Sequence, residues 1–168
     1  MDYDVIIALA ALLVAIGTIY FSNKNNRQQI KTGKLEELFQ CIQSVSSHYG
    51  IFMDLWFKLE QLRDPDNKEI NSLDDYYKER DNKLPVDKRN VINELLTRIE
   101  VLAECYTNGR LKQSTIRYSN MLAIFFYLVS NGGSTQQEIN WKDGFPSFND
   151  FYEMTRGLKA DIAAAIKS

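Results

Sequence analysis

The chain has 168 residues, 45% of them hydrophobic, with a formal net charge of −2. That is the size of one domain with a single core and little room for a second, and the balance of charge excludes the global basic field of a non-specific nucleic-acid binder. Two cysteines, Cys41 and Cys105, and one histidine, His48, with no CxxC or HxxxH spacing, are too few ligands for a zinc centre.

Val5 to Phe21, VIIALAALLVAIGTIYF, carries no charge. The apolar run from Tyr3 to Phe21 makes a helix of roughly 28 Å, close to the ~30 Å hydrocarbon thickness of a bilayer. Nine Val, Ile or Leu residues lie between Val5 and Ile19. Together they contribute about −3 to −5 kcal/mol on insertion scales. A cleaved secretory signal is the competing reading. Asp2 and Asp4, however, stand where a basic n-region belongs, and Thr18-Ile19-Tyr20-Phe21-Ser22 is no small-residue cleavage site. Residues 1–23 therefore read as an uncleaved transmembrane anchor.

Residues 24–34 form a basic juxtamembrane stretch, with Lys24, Arg27, Lys31 and Lys34 and no acid. It reads as a frayed continuation of the span or as a linker jointed at Gly33. Basic flanks stay in the cytoplasm, which places the N-terminus outside and residues 35–168 inside.

From Lys34 to Leu62 the apolar residues Leu35, Leu38, Ile42, Val45, Tyr49, Phe52, Trp56 and Leu59 step by three and four, the seam of a packed helix. It reads as a bundle core or as a face for assembly with other copies. Pro65 ends this helix. Asp64 to Leu84, with seven acids against four bases, reads as an acidic solvated segment in which Ser72 caps a short helix.

Val86 to Thr107 is a further helix with Val91, Ile92, Leu95, Leu96, Ile99, Leu102, Ala103 and Tyr106 on one broad face, stopped at Asn108-Gly109. Another follows from Leu111 to Ser130. Its segment Met121–Val129, MLAIFFYLV, is apolar, but nine residues cover only about 13 to 14 Å, which suits a buried core helix and not a span. Ser134 to Pro146 is a loop, with Thr135-x-x-Glu138 as a capping-box pattern and Trp141, Phe145 and Phe148 tucking it onto the bundle. The last helix starts at Ser147 and runs through Phe151, Met154, Leu158, Ile162 and Ile166. No strand pattern or repeat competes, so the chain reads as all-α, a single N-terminal transmembrane helix followed by a bundle of about four helices.

Chemistry is sparse. His48 beside Ser47 is no catalytic pair, because adjacent residues on a helix do not face each other. From Tyr106 to Gln137 there is no acid, while Arg110, Lys112 and Arg117 are present. These cations either meet acids of the preceding helix or offer a surface for RNA phosphate or an acidic partner.

One span, a bundle of about four helices and Arg117 on the third of them resemble a membrane-anchored HEPN-like protein. The opening MDYDVIIALAALLVAIGTIYFSNKNNRQQ and the overall size resemble, more narrowly, the accessory proteins of type VI-B CRISPR systems. The family ribonuclease motif is an arginine and, after four to six intervening residues, a histidine. Here Arg117 is followed at those places by Leu122, Ala123 and Ile124, which transfer no protons. The resemblance therefore implies a non-enzymatic effector without metal or cofactor, a homo-oligomeric ring in the bacterial inner membrane. It depolarises the bilayer during phage defence beside an RNA-guided RNase. Ala8, Ala11, Ala15 and Thr18, small residues at helical spacing, then serve as span packing or pore wall, although alanine is common in any span. Two alternatives stand beside this reading: a tethered ribonuclease using Arg117 and His48 from different helices or protomers, and a passive anchor that recruits a cytoplasmic complex.

Overall fold

A computed structural model describes residues 3–63, 72–133 and 145–167, with the side chains of 4–10 and 63 outside that description. The described residues form helices and no strands: α1 (Tyr3–Ser46), α2 (Tyr49–Arg63), α3 (Leu73–Lys83), α4 (Val86–Tyr106), α5 (Gly109–Asn131) and α6 (Phe148–Lys167). The chain is all-α. Trp141 and the Thr135–Glu138 pattern lie outside the described residues.

Local chemistry sets the boundaries. Ser72 accepts the Asp75 backbone N–H at 3.1 Å and donates to the Asp75 carboxylate at 2.8 Å, opening α3. Ser147 repeats the arrangement with Asp150, at 3.2 and 2.6 Å, and opens α6. Both hydroxyls satisfy a donor that the first helical turn leaves unpaired. Gly132 ends α5 in the left-handed region, φ 72°, where a side chain is disfavoured.

The helix expected from Lys34 to Leu62 is instead two. Ser44 O is taken by the Ser47 hydroxyl at 2.7 Å and lies 3.0 Å from His48 Nδ1. The His48 backbone N–H bonds instead to Val45 O at 3.1 Å. Short polar side chains competing for the backbone thus end α1 and turn the chain into α2. Residues 24–34 continue the same helix, the first of the two readings: α1 runs through them unbroken, Gly33 included.

α1 packs against α4 and α6, α2 against α5 and α3, and α5 against α4 and α6. Inside lie Leu35, Leu38, Ile42, Val45, Phe52, Leu55, Ile92, Ile99, Leu122, Phe125 and Ile162, each essentially inaccessible. Tyr49 stacks on Phe151 with centroids 3.6 Å apart, and Phe125 on Phe145 at 3.8 Å, so Phe145 does anchor the end of its loop to the core. Met121, Leu122, Phe125, Leu128 and Val129 are buried, which makes the apolar half of α5 a core helix.

The acidic segment is more than solvated surface. Tyr76 is fully buried and its hydroxyl donates to Val129 O. Arg80 donates to Ser130 O at 2.6 Å and Tyr77 to Asn131 O at 3.4 Å. Three side chains of α3 thus satisfy carbonyls that the end of α5 leaves without helical partners, and the arginine also complements the negative end of that helix.

Candidate membrane-associating helix and basic edge

α1 is a rod of about 66 Å at 1.5 Å rise per residue, and only its C-terminal part is packed into the bundle. From Ala11 to Lys31 no residue is buried. Leu13 is 67% exposed, Val14 69%, Ile19 62% and Phe21 64%. Uncovered apolar surface on this scale marks a site of contact with a membrane or another protein. Ala11, Ala15 and Thr18 are exposed on this rod, with Thr18 Oγ1 donating to Val14 O at 2.9 Å. Ala8 lies outside the described side chains.

Among the described residues, no helix is long and apolar enough to cross a membrane. The apolar stretch whose side chains are described, 11–21, is about 16 Å of helix, roughly half a bilayer core.

The seam read as a possible assembly face belongs to the core of its own chain. Leu35, Leu38, Ile42, Val45, Tyr49, Phe52 and Leu59 are buried, and Trp56 is half-buried against Phe125 and Phe145. Leu55, which the seam omitted, is buried deeper than Trp56 beside it.

The basic edge is divided. Lys112 pairs with Glu104 of α4, as one of the two readings anticipates. Arg110 and Arg117 are exposed and carry no ion pair among the described residues. Seven residues apart, they share one face of α5 about 10 Å along its axis.

His48 is half-exposed in the α1–α2 turn, its Nδ1 3.0 Å from Ser44 O and 3.3 Å from Ser47 Oγ. No hydrogen bond joins it to Arg117. Close by, Tyr118 is buried, and its hydroxyl lies 2.6 Å from Ser46 Oγ and 3.2 Å from Thr155 Oγ1. This hydroxyl cluster joins α1, α5 and α6 and has no signal in the sequence, because its members are 72 and 37 positions apart.

Cys41 is buried and Cys105 is exposed. Burial raises the Cys41 thiol above its ordinary value, which keeps it protonated and unreactive. Among the described residues no group of three His, Cys, Asp or Glu is placed to hold a metal ion.

Compared with known proteins, the chain matches no family model, no curated protein and no solved structure.

Proposed function

We propose that the chain is a single-pass inner-membrane protein with its N-terminus outside and a HEPN-like bundle in the cytoplasm. In this reading it assembles as a homo-oligomeric ring that depolarises the membrane, as a non-enzymatic accessory to a type VI-B RNA-guided RNase in phage defence. The observation that carries the membrane part is the unbroken α1. Its uncovered apolar residues are joined without a break to a helix whose other end is locked in the bundle. In the sequence the uncharged run begins at Val5 and is long enough to span. The absence of a histidine after Arg117 at the family spacing supports the non-enzymatic role.

The test is ion conductance of purified full-length chain in planar bilayers, together with membrane potential in phage-challenged cells that carry the RNA-guided RNase. Stepwise conductance and loss of potential are expected. A chain shown to be inserted but electrically silent in both settings overturns the reading. It would favour the passive anchor, for which the exposed Arg110 and Arg117 are the docking point on a partner or RNA. RNA cleavage lost in both Arg117→Ala and His48→Ala would favour the tethered ribonuclease.

A further inference from the structure

The rod of α1 is not the same on all sides. Ala11, Ala15, Thr18, Ser22, Asn25, Gln29 and Thr32 alternate steps of four and three along it. At about 100° per residue they fall on one face about 100° wide. None of them is charged. Lys24, Arg27 and Lys31 also step by three and four, and the same geometry puts them roughly 150° round the helix. The buried Leu35, Leu38 and Ile42 lie in that direction too. The cations thus stand on the side of the chain's own bundle, and the neutral face looks the other way. Below Thr32 the neutral face meets Glu36 and Gln40, which α4 and α6 leave exposed.

We infer that this face of α1 is where a second copy of the chain docks, its own α1 lying parallel and in register. The inference rests on the membrane-anchored oligomer proposed above and names the surface that makes it. Within the apolar part, Ala11 and Ala15 allow close approach of backbones, and the Thr18 hydroxyl is already satisfied by Val14 O. Beyond it, the side-chain amides of Asn25 and Gln29 each hold both donors and acceptors, so each can pair with its own counterpart across a parallel seam and set the register. Charge decides against the opposite face. Copies meeting through Lys24, Arg27 and Lys31 would oppose like charges. With the neutral faces together, those cations lie on the outside, separated by two helix diameters of about 10 Å each, beyond the ~8 Å screening length at physiological salt. A repeat of 3.5 residues further implies a left-handed crossing. Among the described residues, none from Ala11 to Thr32 is buried.

Disulfide mapping of the full-length chain in its native membrane tests the seam, in a Cys105→Ser background that leaves only the buried Cys41. Ser22→Cys, Asn25→Cys and Gln29→Cys sample the neutral face, and Lys24→Cys, Arg27→Cys and Lys31→Cys the basic one; all six positions are exposed, so folding is not at stake. Under a copper–phenanthroline oxidant, covalent dimers are expected to form several-fold faster for the first set. Equal rates in both sets, faster rates in the second, or no dimer in either overturns the seam. Bilayer conductance of the cysteine-free-surface parent separates the two claims. Conductance with a flat mapping pattern sinks the seam and leaves the pore, whereas a periodic pattern without conductance sinks the pore and leaves the seam.

Discussion

Gly132 and Gly157 show how differently one residue type works in this chain. Gly132 adopts φ 72°, and a Cβ there would meet the Tyr77 hydroxyl at 3.0 Å, whereas a Cβ on Gly157, in the middle of α6, meets nothing within 4 Å. Gly132→Ala is expected to destabilise by about 1–2 kcal/mol through the left-handed backbone alone. Gly157→Ala is expected to stabilise by about 0.5–1 kcal/mol. Urea unfolding of the two variants beside the parent checks both signs. Three carboxylates set the acid response at the same scale. Hydrogen bonds from Lys34 and then Arg98 hold Glu37 below its ordinary 4.5, Lys83 and then Lys58 do so for Glu79, and Arg89 with Arg80 hold Asp81 below 3.8. A depressed carboxylate binds protons more weakly folded than unfolded. Its contribution is therefore complete above those ordinary values and lost as pH falls through the lower folded ones. Melting temperature is expected to be flat at neutral pH and to drop below about pH 4.5. The drop is expected to be shallower in Arg98→Ala, which lacks one of the donors to Glu37.

At the scale of elements, α3 and the seam of α1 and α2 both do more inside the molecule than their sequences suggest. α3 caps α5 through Tyr76, Tyr77 and Arg80. Arg80→Ala, which leaves Ser130 O without that donor, is expected to cost about 1–3 kcal/mol. The loss should appear first as faster amide exchange at the C-terminal end of α5. Leu38, fully buried between α1 and its neighbours, distinguishes core from assembly face. Leu38→Ala is expected to lower the stability of the bundle by about 2–5 kcal/mol through the cavity it leaves. An unchanged unfolding midpoint with altered oligomeric state would instead place it between copies.

The whole molecule is a rod with a bundle at one end, and the two parts depend on each other unequally. No residue from Ala11 to Lys31 is buried, so the core does not need them. A chain lacking residues 1–31 is expected to keep its helical content and cooperative unfolding, measured by circular dichroism, while losing sedimentation with membranes. Loss of the fold in that deletion would show that the rod supports the bundle. Continuity matters in the other direction. With no joint at Gly33, movement of the bundle is carried directly into the rod, and the side of the rod that faces outward is set by the side of α1 that the bundle covers.

Much of this was legible in one dimension because it depends on neighbours in sequence. Helical periods placed α4, α5 and α6 within a residue or two. Ser72 and Ser147 marked the starts of α3 and α6, since such caps are local hydrogen-bond chemistry. The uncharged run from Val5 needed only hydropathy. What the sequence could not express was which of several consistent partners each face would meet. Tertiary structure assigned the Leu35–Leu59 seam to the chain's own core, broke it at residues 47–48 where side chains outbid the backbone for Ser44 O, and turned an acidic stretch into a cap on α5. It paired Lys112 while leaving Arg110 and Arg117 exposed, and gathered Ser46, Tyr118 and Thr155 from three helices. Periodicity along a helix determines which residues share a face; only packing in three dimensions determines what that face is pressed against.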